Sequence, residues 1–199
     1  GQRGQSAFES EVRVLFADVG RGGQRERLEL DINVLVPQGH GRAEDLLPIF
    51  FGDRIPLQAA VHGSARLFGP PAALGGRAEA RATDVRLLWE RFDSLDLFAV
   101  MDHGDLIVRE AFARKRDGGV LFARGAVRRG GTIDLSAQLG GMGVEQLAPV
   151  ADAGLPLTGR LQGAVVLSGA LSNPDVRGQL SLRDARWGDE RLGPSDVEF

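Results

Sequence analysis

The chain has 199 residues, 43% of them hydrophobic, a formal net charge of −3 and no cysteine. That length and apolar content exclude a disordered chain and are enough for one large or two small domains with a core. The small net charge, with arginines interleaved among acids and lysine only at Lys115, excludes a phosphate-tracking stripe for nucleic acid, and thiolate metal sites, cysteine nucleophiles and disulfides are excluded outright.

Strand signals dominate from the start. Val12, Val14 and Phe16 alternate with neighbours such as Glu11 and Arg13. Leu28, Leu30, Ile32, Val34 and Val36 alternate with Glu29, Asp31 and Asn33, the period-2 pattern of a strand with one apolar face. Gly20 to Gly23 punctuates between them. Residues 42–51 read as a helical turn ended by Pro48. Pro70-Pro71 and Gly75-Gly76 mark a loop rather than a domain boundary. Asp117-Gly-Gly119 and Arg129-Gly-Gly131 read as hairpin turns. Ile133, Leu135, Ala137 and Leu139 form another alternating strand, and residues 142–150 a second helical turn ended or kinked by Pro149. Leu157, Leu161, Val165 and Leu167, then Val176, Leu180 and Leu182, continue the alternation around Asn173-Pro-Asp175. Turns recur about every 10 to 14 residues, which predicts about eleven meandering antiparallel strands. The fold expected is all-β: an elongated, curled antiparallel sheet with an apolar concave lining and one or two short helical turns.

The chain also repeats itself. Glu145-Gln-Leu-Ala-Pro149 is a version of Glu44-Asp-Leu-Leu-Pro48, and Leu155-Pro-Leu157 of Ile55-Pro-Leu57. Gly163 and Gly169 fall where Gly63 and Gly69 do, and Ile133 and Leu135 follow Ile32 and Val34 by 101 residues. One continuous segment, 1–199, is therefore expected, with approximate units 1–43 (partial), 44–144 and 145–199 (partial). Residue 1 starts mid-pattern and Asp196-Val-Glu-Phe199 resembles a strand cut short, so the chain is expected to be an excerpt of a longer protein.

Catalytic constellations are missing. His40, His62 and His103 are scattered; Asp102-His-Gly-Asp105 reads as a polar hairpin tip rather than a metal site. There is no G-x-S-x-G elbow, Walker loop or Rossmann fingerprint, and no glycine pair opens a helix as a phosphate cradle requires. Asp93 and Asp96 lack a cleft for paired acid–base work. The expectation is a non-enzyme with no cofactor and no metal. What remains is the apolar face, either buried in a sandwich or left as the lining of a trough, where Ala78, Ala80 and Ala82 leave room. The candidate lining, chosen by alternation, is Leu30, Ile32, Val34, Leu67, Leu87, Val108, Phe122, Ile133, Leu135, Leu161, Val165, Leu167, Leu180 and Leu182.

The stretch from Leu155-Pro-Leu-Thr-Gly-Arg-Leu-Gln-Gly163, through Leu167-Ser-Gly-Ala-Leu-Ser-Asn-Pro174, Val176-Arg-Gly178 and Leu180-Ser-Leu182, to Leu182-Arg-Asp-Ala-Arg186 resembles the repeat of the TamB family, a branch of the AsmA-like proteins. The likeness is strongest over 131–199, weaker over 44–130, where Gly69-Pro-Pro-Ala-Ala-Leu-Gly-Gly76 lacks the Asn-Pro turn, and only a pattern over 1–43. It implies a taco-shaped sheet with a hydrophobic interior, part of a bridge across the Gram-negative periplasm anchored in the inner membrane by a segment absent here. The implied role is phospholipid transport to the outer membrane, with acyl chains as partners. The alternative within the same architecture is a periplasmic scaffold or chaperone adding strands to outer-membrane β-barrel proteins, with a barrel partner of the TamA/BamA type; a separate alternative, not implied by the resemblance, is a β-solenoid passenger of a surface protein. A solenoid coil repeats every 20 to 30 residues or so, against about 100 here.

Overall fold

A computed structural model describes residues 6–18, 26–46, 57–87, 90–170 and 172–199. The expected turn at Gly20–Gly23, Pro48 with the rest of its helical turn, and Ile55-Pro56 lie outside the described residues. Strands make up 75% of the structure: β1 (Glu9–Asp18), β2 (Glu26–Arg42), β3 (Leu57–Gly69), β4 (Gly75–Leu87), β5 (Glu90–Asp102), β6 (Asp105–Arg114), β7 (Val120–Val127), β8 (Thr132–Gly143), β9 (Leu157–Ala170), β10 (Asn173–Trp187), β11 (Glu190–Arg191) and β12 (Ser195–Glu198). They form one open antiparallel meander in chain order, with β11 and β12 both lying along the far side of β10.

Local chemistry makes the hairpins. Asp102 pairs with Asp105 across His103 and Gly104, at φ +51° and +87°. Two successive left-handed residues give the turn whose twist matches its strands. The Asp-Gly-Gly turn closes with the Lys115 amide donating to Gly119 O at 2.8 Å, and the Arg-Gly-Gly turn with Arg128 N to Thr132 O at 2.8 Å.

Cross-strand register assembles the alternation into rows. One row runs Val34, Ala65, Ala78, Ala99, Val108, Gly125, Leu135, Leu167 and Val176. The next runs Val36, Gly63, Ala80, Leu97, Ala111, Ala123, Ala137, Val165 and Gly178. Paired residues share a face, so every strand from β2 to β10 contributes to one continuous apolar surface. Among the described residues no second sheet covers it. The accessible surface is 13177 Å², whereas a compact monomer of this mass exposes about 9,100 Å².

The buried core sits at one end of the sheet. Ala59, Ala82, Val85, Phe92, Ala113 and Met142 cluster there, with Ala43 from the helical residues 43–46. Residues 144–152 fold back over this end: Val144 is buried and Leu147 packs on the cluster. This segment is a 3-10 turn (Val144–Gln146) followed by a short helix, Ala148–Asp152. The helix starts six residues later than the sequence pattern suggests, since Met142 and Gly143 complete β8. Pro149 does not end it but lies in its first turn, where a missing N–H removes no helical bond.

The repeat reappears as repeated irregularities. The β3–β4 ladder slips between the pairs Gln58–Arg86 and Ala60–Thr83; the β9–β10 ladder slips between Thr158–Arg186 and Arg160–Arg183. The offset is 100 throughout (58 to 158, 86 to 186). Asp84 and Asp184 take φ +52° and +51° inside these bulges, a conformation aspartate tolerates better than most residues. The bulge gives β4 an extra residue and turns Val85 and Leu87 inward beside Ala59 and Leu57. Glu44 Oε2 accepts the Ala59 amide at 3.3 Å, and Glu145 Oε2 the Gly159 amide at 3.3 Å. The Glu-x-Leu-x-Pro motif is thus a clamp on the bulge. Upstream the offset is 103, not 101: Ile32 pairs with Leu67 and Leu135 with Leu167. The difference arises because β2 carries four residues between Val36 and Gly41, where β8 carries two between Leu139 and Met142.

Gly63 and Gly163 hold the same place in both copies, at φ +159° and +157°. A Cβ on Gly163 would lie 2.1 Å from Gln179 O, and on Gly63 2.3 Å from Glu79 O. Gly163→Val is expected to destabilise the fold by about 2–3 kcal/mol, read as a lower urea midpoint, with Gln162→Val on the polar face as the near-neutral control.

Candidate functional site

The candidate site is the apolar face. Register places Leu30, Ile32, Val34, Leu67, Val108, Ile133, Leu135, Leu161, Val165, Leu167, Leu180 and Leu182 on it, as expected, and the β4 bulge brings Leu87 to the same side. Ile133 is buried and the other twelve are half-buried, so these side chains touch their neighbours and keep one flank open. Phe122 is a correction. It pairs with Phe112 and Gln138, in the row that carries Asp96 and Arg81, on the polar face. Its neighbour Leu121 points the other way, between Ala113 and Leu139. In Val120-Leu-Phe122 three apolar residues run together, so alternation alone fits either register.

Alternation in larger residues also missed part of the lining. Ala65, Ala99, Ala111 and Ala123 occupy the middle rows beside Ala78 and Ala137, which the sequence pattern did place. Counting alanine and glycine as apolar throughout the period-2 pattern would have found the other four. They keep the middle of the face low between flanking rows rich in Leu, Ile and Val. Across the eight strand spacings from β2 to β10 the face extends roughly 38 Å, longer than the hydrocarbon thickness of one bilayer leaflet, about 15 Å.

The covered end is held by the only lysine. The Lys115 side chain is 5% exposed, and its ammonium pairs with Glu90, donates to Gln146 O at 3.2 Å and lies 5.8 Å from the Phe92 ring centroid. The other Glu90 oxygen accepts the Ala148 amide at 3.4 Å. One buried ion pair therefore ties the start of β5, the β6–β7 turn and the helix after β8. Asp117 completes the corner, accepting the amides of Gly119 and Gly143 at 2.8 Å each. Burial pushes its carboxyl up, but those two amides and the nearby Lys115 and Arg160 charges outweigh burial and hold it below the usual carboxylate range.

The opposite face is polar and laced across strands: Asp31 with Arg66 at 3.0 Å, Asp96 with Arg81 at 2.6 Å, Asp105 with Arg128 at 3.1 Å. These pairs are solvated and individually worth little, but they mark which face meets water. A hollow of about 730 Å³ on this side is bordered by Leu35, His62, Glu79, Arg81, Asp96 and Phe98. Arg81 and Asp96 engage each other there, and the hollow lies on the wrong side for the apolar rows. The Asp102-His-Gly-Asp105 segment is a hairpin tip with an exposed His103. Among the described residues no group of three His, Asp or Glu stands close enough to hold a metal, and no helix is long and apolar enough to cross a membrane.

No protein family, no curated protein and no solved structure matches this chain.

Two outcomes test the covered end. Lys115→Met leaves the half-buried Glu90 without its cation and is expected to destabilise by about 2–3 kcal/mol, while Lys115→Met with Glu90→Leu recovers much of the loss; equilibrium urea unfolding reads both. Because Asp117 is held below its unfolded value of about 3.9, its contribution is complete above that pH and vanishes as pH falls through the folded value. The unfolding midpoint is expected to fall with acid below about pH 4, less steeply in Asp117→Asn.

Proposed function

We propose that this chain is a non-enzymatic segment of a bridge-like lipid-transport protein. It shields phospholipid acyl chains on its apolar face between the inner and outer membranes of a Gram-negative bacterium. The observation that carries the reading is the uninterrupted set of apolar rows from β2 to β10 with no opposing sheet. The resemblance of residues 131–199 to the TamB repeat supports the same reading and supplies its periplasmic setting.

The physics suits transport rather than storage. Each exposed CH₂ of an acyl chain in water costs about 0.8 kcal/mol. A surface that is alike at successive strands removes that cost at every position, so no position traps the chain. Movement along the rows then meets only small steps, and the ion-paired outer face stays hydrated.

The test is site-specific photocrosslinking. The chain, carrying a photoreactive residue at Leu135, Val165, Leu180 or Ser181, is mixed with vesicles containing labelled phospholipid. Label is expected at the first three positions and not at Ser181, which faces Gln162 and Asp196 on the polar side. Leu180→Glu is expected to lower labelling at Val165 at least tenfold, since a charge in the path of a lipid tail costs several kcal/mol. Equal labelling from Leu180 and Ser181 would sink the proposal.

A further inference from the structure

The two rims of the apolar face differ. At one, Leu95, Leu121 and Leu139 pack against the buried cluster, and beyond them Phe92 and Met142 are 6% and 1% exposed. Val144 and Leu147 close over this end. Ala43, from the helical residues 43–46, joins the same cluster, so both copies of the repeat close the same rim. At the other rim, between β5 and β8, the last apolar row is Met101, Leu106, Val127 and Ile133. One step further out stand the hairpin tips, with Asp102, His103, Arg128 and Thr132 exposed.

Polarity therefore changes along the strands, from a dry packed end to charged tips. It does not change along the rows, which stay apolar from β2 to β10. A lipid is amphipathic along its length. Laid along a row, it holds its headgroup above apolar side chains and loses part of that group's hydration. Laid along a strand, it sets its tail on the open rows and its headgroup among the tips. The lengths agree as well. The open stretch of β8 runs from Ile133 to Leu139, about 20 Å at the rise of a strand. An extended hydrocarbon chain advances about 1.3 Å per carbon, given C–C bonds of about 1.5 Å.

We infer that each acyl chain lies along the strands with its terminal methyl against the covered end, which acts as a stop and limits the chain to about 16 carbons. This rests on the acyl-chain reading above and adds a direction and a length to it. Leu121 and Leu139 are the specificity-determining contacts, because Phe92 and Met142 already fill the space behind them. Movement along the rows is then broadside, one strand spacing of about 4.8 Å at a time, with the headgroup following the tips.

The probe is stearate carrying a nitroxide at carbon 5 or at carbon 16, added to the 199-residue chain with its methyl groups observed by NMR. The carbon-16 label is expected to broaden Leu121 and Leu139, and the carbon-5 label Val127 and Ile133. Saturated fatty acids of increasing length, competing with the probe, are expected to bind two- to fourfold tighter per added methylene up to about 16 carbons, and no tighter beyond. Ala123→Leu with Ala137→Leu raises the floor one row outside the stop, since these two residues face each other. In that variant the carbon-16 effect is expected to move outward to Leu135 and the limit to fall to about 10 carbons. An unchanged far-UV spectrum checks its fold, and the unsubstituted chain gives the label pattern and the length series without it. Both labels broadening both rims alike, or affinity climbing to 20 carbons without a break, overturns the direction and the stop while leaving acyl binding in place. No broadening of these methyls by either label removes the trough reading itself, and this inference with it.

Discussion

The backbone ladder carries this structure. In a sandwich two sheets bury each other and the core fixes both; here one layer stands with its apolar face uncovered over most of its length. The order of the strands therefore rests on neighbour-to-neighbour hydrogen bonds and on side chains meeting across them. Register becomes the governing constraint, because a slip of one residue on any strand would put charges among the apolar rows.

Much of the irregular detail reads as register control. The bulges of β4 and β10, each with an aspartate at positive φ and an amide clamped by Glu44 or Glu145, fall at the same step of each copy. Each shifts its strand by one residue where the sheet passes from the open rows to the covered end. The glycines at 63 and 163, on the partner strands β3 and β9, let neighbouring backbones approach. The Lys115–Glu90 pair does related work from outside the ladder, joining segments that are not adjacent in the sheet.

The alternation of Leu30, Ile32 and Val34 or of Leu161, Val165 and Leu167 was legible because one face carries the charged side chains and the other packs apolar side chains against one another. The Glu-x-Leu-x-Pro repeat was legible as a repeat, but its role was not. A carboxylate reaching a bulged amide 14 or 15 residues away has no local signature. Phe122 was misplaced where apolar residues run consecutively, and the upstream offset was misjudged because the two extra residues in β2 leave no mark in the alternation. Ala78, Ala80 and Ala137 were legible, but Ala65, Ala99, Ala111 and Ala123 were hidden because alanine is neutral between core and surface. Lys115 gave no hint of burial beyond being the only lysine.

The strand order also has a temporal meaning. Each strand from β2 to β11 pairs with the one that precedes it in the chain, and β12 with β10, so no strand waits for a distant partner. A chain delivered amino terminus first can settle one hairpin at a time, each finished edge templating the next arrival. Loop closure stays short at every step, and contacts of low sequence separation fold quickly. A sheet too long to collapse around a single core can therefore be completed at the pace of its own synthesis or export.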